Sequence, residues 1–162
     1  QFPQVAGLRF SFDPAMPARL STLTGDDMDQ AGQRVRNLVV LDENGEVIDT
    51  VVQNGALVAD ANRTFRLVTL GFLASEGGNG LGGDGYPFDF PLENRLDLND
   101  EAVPAEGSNA ATFADPGSEQ DALAEYLLAN FNTETPFNQA ETDTDQDERI
   151  QNLDAREDAV LP

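Results

Sequence analysis

Arg34-Val35-Arg36-Asn37-Leu38-Val39-Val40-Leu41-Asp42-Glu43-Asn44-Gly45-Glu46-Val47-Ile48-Asp49-Thr50-Val51-Val52 is the stretch that decides the fold. Arg34 to Asp42 is rich in β-branched side chains, which suit a pleated, half-buried surface. Asn44-Gly45 is a favoured pair for a tight hairpin turn, because both residues tolerate positive φ. Glu46 to Val52 then returns as the antiparallel partner. Working outward toward the N-terminus, Gln4 to Phe12 alternates as a half-buried strand, and Asp13-Pro14 stops it. Ala15 to Gly32, small, polar and proline-punctuated, reads as a long connection.

Toward the C-terminus, Thr64 to Ala74 is the most apolar run and is expected to be a central strand continuing into a loop. A glycine-rich run, Gly77 to Gly85, follows. Asp89 to Ser118 is acidic and loop-like, with short apolar marks at Phe90, Leu92 and Phe113. One helix is expected next, with Ser118 as its cap and Asp121 as a short acidic counterpart of a capping box. Its apolar positions, Leu123, Tyr126, Leu127 and Phe131, share one face at helical spacing. Residues 133–147 form an acidic tail linker, and Arg149 to Leu153 a short closing strand. No internal repeat is present. The expected architecture is α+β, a mostly antiparallel sheet with few helices, as a single domain over residues 1–162.

Composition narrows function. The 162 residues include 30 acidic and 9 basic side chains, for a net charge of -21, and every basic residue is arginine. Such a surface repels phosphate backbones and anionic membranes, so neither nucleic acid nor a membrane is an expected partner. Acidity without lysine points to a halophilic or marine source. Histidine, cysteine and tryptophan are all missing. Without cysteine there is no disulfide framework and no thiolate nucleophile. Without histidine the commonest general base and metal ligand is gone, so an all-oxygen site for magnesium or calcium is the remaining metal option. No stretch reaches the roughly 20 apolar residues of a membrane span, and no signal segment opens the chain. The opening residues lead directly into a strand, which reads as a cut through a larger protein.

Three segments together resemble the C-terminal domain of the 5'-nucleotidase family. The first is Phe2-Pro3-Gln4-Val5-Ala6-Gly7-Leu8-Arg9-Phe10, continuing through Phe12-Asp13 to Gly32-Gln33-Arg34-Val35. The second is Phe72-Leu73-Ala74 with Gly82-Gly83-Asp84-Gly85-Tyr86. The third is Glu119 to Phe131 with the late step Arg149-Ile150. The resemblance implies a periplasmic or extracellular parent with an N-terminal metallophosphoesterase domain. That domain would carry two divalent metal ions and the catalytic residues, leaving no cofactor and no catalytic residue in this chain. It also implies a nucleotide or nucleoside substrate held here, with Phe72 stacking on the base and Asp84 accepting from the ribose hydroxyls. Gly82, Gly83 and Gly85 would shape that loop. The insertion Ser75 to Leu81 allows a second alignment in which Asn79 takes the place of Asp84.

The chemistry of these positions is sound in itself. One carboxylate can accept from two adjacent hydroxyls, flanking glycines allow close backbone approach, and an aromatic ring at a strand end can stack a base. The structural alternatives are a core phenylalanine at 72 and a turn aspartate at 84.

Other classes compete. Asp143, Asp145, Asp147 and Asp154 fall on the register of an EF-hand calcium loop, with Ile150 in step, but Glu148 stands where that loop needs glycine. The alternative function is therefore a calcium-binding or surface-binding accessory module of a secreted protein. The single Gly77–Gly85 run also falls short of the stacked repeats of a calcium β-helix. The abundance of carboxylates singles out no glycosidase pair.

Overall fold

The computed structural model describes residues 4–21, 28–60, 62–74, 96 and 118–161. They belong to two compact units, one formed by residues 1–68 with 141–162 and the other by residues 69–140.

The first unit is built on the expected hairpin. Strands β4 (Val35–Leu41) and β5 (Val47–Gln53) pair antiparallel. The turn between them is organised by Asp42. Its Oδ1 accepts from the Asn44 N–H at 2.8 Å and the Glu46 N–H at 2.9 Å, while Gly45 takes φ +82. These bonds, led by that from the Glu46 amide, outweigh desolvation and hold the Asp42 carboxyl below its ordinary range. A second hairpin follows at once. Asn54 and Gly55 take φ 52 and 81, and this two-residue loop with positive φ at both positions joins β5 to β6 (Ala56–Leu57).

On the other side of β4 lies β1 (Leu8–Phe12), also antiparallel to it. Beyond β1 comes β7 (Ile150–Asn152), which pairs parallel to β1 with Ser11 opposite Gln151. The five-stranded sheet thus runs β6-β5-β4-β1-β7. The closing strand falls where expected. The sheet is mixed rather than wholly antiparallel, because the C-terminal segment enters beside β1 in the same direction. The connection from 15 to 32 is not featureless either: β2 (Leu20–Ser21) and β3 (Met28–Gln30) pair as a separate two-stranded ribbon.

Thr64 to Ala74 is not a central strand. Residues 63–70 make no ladder, and Phe65, Leu67, Val68 and Leu70 are exposed. Apolar, β-prone composition marks side chains that favour burial, but a strand also needs a ladder partner, and propensity gives way to that context.

The sheet face covered by the C-terminal residues is mostly polar. Register places Arg9, Ser11, Asn37, Val39 and Gln151 on it together. Among the described apolar residues only Val39 and Val160 are fully buried, whereas Ser11 and Gln151 are buried just as completely.

In the second unit, helix α1 spans Glu119–Asn130. Ser118 caps it as expected, its Oγ accepting from the Asp121 N–H at 3.3 Å. The expected apolar face is not a buried one: Leu123 and Tyr126 are exposed. Phe131 ends the helix and makes edge-on contacts with Tyr126 and Phe137, with ring centroids 6.1 and 5.2 Å away. No helix among the described residues is long and apolar enough to cross a membrane.

Candidate functional site

Phe72 sits on a single turn. The Leu70 carbonyl accepts from the Leu73 N–H at 3.0 Å and the Ala74 N–H at 3.1 Å, which brings Gly71 and Phe72 to the tip. The ring is 61% exposed, so the core reading of this phenylalanine fails and a solvent-facing ring remains. An aromatic presented on a turn offers a flat π face at low conformational cost. Residues up to 68 belong to the first unit. Arg63 Nε meets Asp49 Oδ2 at 2.9 Å, and the Arg63 guanidinium lies over the Phe65 ring, 5.1 Å from its centroid. Asn79, Gly82, Gly83, Asp84 and Gly85 lie outside the described residues.

The acidic loop expected to mimic a calcium site is used differently. Asp147 Oδ1 accepts from the Arg149 N–H at 2.8 Å and the Ile150 N–H at 3.1 Å. Its carbonyl takes Arg156 Nη1 at 2.6 Å. Asp143 closes a turn through its own carbonyl, which accepts from the Gln146 N–H at 2.8 Å. The Asp147 carboxylate therefore starts β7. No group of three or more acidic side chains among the described residues is arranged to hold a metal ion.

One constellation has no local signal in the sequence. Asp158 Oδ2 accepts from Ser11 Oγ at 2.5 Å and from Asn37 Nδ2 at 2.7 Å, while its Oδ1 accepts from the Val160 N–H at 3.0 Å. Ser11 Oγ in turn accepts from the Asn37 N–H at 3.1 Å, and Asn37 Oδ1 takes the Asn54 N–H at 2.8 Å. Gln151 completes the set: Oε1 accepts from the Ala159 N–H at 2.8 Å, and Nε2 donates to the Glu148 carbonyl at 3.0 Å. Partial burial pushes the Asp158 carboxyl up. The Ser11, Val160 and Asn37 donors, with the nearby charge of Arg156, outweigh it and hold the group below its ordinary value. The serine hydroxyl is fully buried and spends its proton on a carboxylate. The cluster fastens the C-terminal residues to β1 and β4.

No family model, curated protein or solved structure matches the chain.

Proposed function

We propose that this chain is the nucleoside-holding C-terminal domain of a 5'-nucleotidase-like phosphoesterase, secreted to the periplasm or beyond. In this reading its fold is that family's C-terminal-domain fold. Phe72 stacks on the base, and Asp84 accepts from both ribose hydroxyls. Gly82, Gly83 and Gly85 let the backbone come close, and Asn79 takes the place of Asp84 under the second alignment. The chain binds and orients the substrate. Hydrolysis belongs to an N-terminal metallophosphoesterase domain carrying two divalent metal ions.

The single observation that carries the reading is the exposed ring of Phe72 at the tip of its turn. A ring meant for the core would be buried there; a ring meant to stack a ligand must face solvent before the ligand arrives. The order of the Gln4-Val5, Phe72 and Asp84 motifs along the chain supports it.

Calorimetric or NMR titration with adenosine and AMP tests the assignment. Saturable binding, weakened roughly 5- to 150-fold by Phe72→Ala, corresponds to the ~1–3 kcal/mol of a stacked base. Asp84→Ala weakens binding of adenosine more than that of a 2',3'-dideoxy analogue. No binding to the wild-type chain at millimolar ligand overturns the assignment. Phosphate release from AMP by the purified chain with magnesium, manganese or zinc overturns the absence of a catalytic centre.

A further inference from the structure

The C-terminal residues Leu153–Leu161 lie across the sheet as a strap, held at few points. The Leu153 N–H donates to the Phe12 carbonyl at 3.0 Å, beside the end of β7. Beyond it, Asp158 takes Ser11 from β1 and Asn37 from β4. Arg9 Nη2 donates to the Val160 carbonyl at 3.2 Å, and Gln151 takes the Ala159 N–H. The Val160 side chain is fully buried beneath.

All three contacts to the Asp158 carboxylate come from donors, namely a hydroxyl, an amide NH2 and a backbone N–H. A proton added to Oδ1, which takes a single N–H at this exposed residue, can face solvent, whereas one added to Oδ2 points at the Ser11 and Asn37 donors, which also need to donate. The Ser11 hydroxyl could turn to accept it, but its own proton would then lose its partner in a fully buried position. The site therefore favours the ionised form, whose charge strengthens all three bonds. The charged groups around it do not offset this. Arg156 on the strap favours ionisation, Arg9 on β1 is committed to the Val160 carbonyl, and Glu157, beside it on the strap, is exposed. Asn37 on β4 and Gln151 on β7 are neutral.

We infer that the strap Leu153–Leu161 is an acid-released latch, freed from the sheet by protonation of Asp158 while the β4–β5 hairpin stays paired. Its release uncovers the polar face of Ser11, Asn37 and Val39. The hairpin survives because its own ladder does not run through the strap; only the Asn37 side chain, donating to Asp158 and accepting from the Asn54 N–H, links the second turn to it. Because the folded-state carboxyl titrates below its ordinary value, the latch is fully closed above the ordinary carboxylate range and opens as pH falls through the lowered one.

Amide hydrogen exchange of the full chain, followed by NMR and corrected for intrinsic rates, reads the latch directly. The strap probes are the Ala159 and Val160 amides. The sheet references are Leu41, bonded to the Gly7 carbonyl, and Gly55, bonded to the Arg36 carbonyl. Between about pH 6 and about pH 3 the strap amides should lose protection ~3- to 8-fold while the references keep theirs. In Asp158→Asn, whose NH2 faces the same donors, the strap amides should be unprotected already at about pH 6. Strap and sheet amides losing protection together in the wild type would overturn the inference. So would strap amides still protected at about pH 6 in a folded Asp158→Asn chain.

Discussion

Two glycines with nearly the same backbone but different surroundings let the hairpin energetics be dissected. Gly45 and Gly55 take φ +82 and +81. A Cβ at Gly45 meets nothing within 4 Å, whereas one at Gly55 lies 2.5 Å from Arg36 Nη1 and 3.0 Å from its Cζ. Gly45→Ala therefore carries only the left-handed strain of a side chain, about 1–2 kcal/mol. Gly55→Ala carries the same strain and also displaces the guanidinium, which donates through Nη2 to the Asn54 carbonyl at 3.0 Å. The guanidinium is the far end of a flexible side chain, so it swings aside rather than forcing the backbone. The added loss is that of one exposed hydrogen bond, about 0.5–1 kcal/mol. Gly55→Ala is expected to cost about 1.5–3 kcal/mol in all. Urea unfolding followed by far-ultraviolet circular dichroism measures both, the chain having no tryptophan to report by fluorescence. In an Arg36→Ala background the two alanine variants should become equal. An equal or larger loss for Gly45→Ala in the wild-type background, or a difference that survives Arg36→Ala, would refute the reasoning.

Asp158→Ala leaves the Ser11 hydroxyl and the Asn37 amide without their acceptor. Because water reaches the exposed position of the lost carboxylate, the cost should be about 2–4 kcal/mol, with a coupling of about 1–2 kcal/mol to Ser11→Ala in a urea double-mutant cycle. The Asp42 carboxyl is also held low, so its turn bonds are present above the ordinary carboxylate range and lost as pH falls through the lowered value. The Glu46 amide should lose exchange protection in acid, and Asp42→Ala should abolish that pH dependence. Ser118→Ala removes the acceptor for the Asp121 N–H; with a bond of 3.3 Å the cost belongs at the low end for a cap, about 0.5–1 kcal/mol, read from urea unfolding monitored at the helical circular-dichroism band.

The parts of the fold legible in the sequence are those whose cause is local. Gly45 dictates its turn because the backbone needs positive φ there and glycine supplies it. Asn54-Gly55 carries the same signal just beyond the strand expected to end at Val52, and it makes the second hairpin. Ser118 starts its helix for an equally local reason. Arg149 to Leu153 is legible as a strand, but its partner is not. Nothing in those residues says that they will lie parallel to β1 rather than close a hairpin. Thr64 to Ala74 fails in the opposite way, since apolar content speaks of side chains while a ladder depends on backbone neighbours.

The same division explains the sites. Phe72 stands in an apolar run, and only the turn closed on Leu70 shows that it faces solvent. Asp158 is one acidic residue among 30, indistinguishable in sequence from a solvated surface charge. It is singled out by partners 147 and 121 positions away, Ser11 and Asn37, which meet it only after β1, β4 and the C-terminal strap have come together. The surrounding charges repel one another over a Debye length and weaken in salt, whereas this carboxylate works through contacts of hydrogen-bond length that salt screens far less. In a chain of net charge -21, Asp158 is therefore a negative charge that the sheet uses, since both of its oxygens accept from donors.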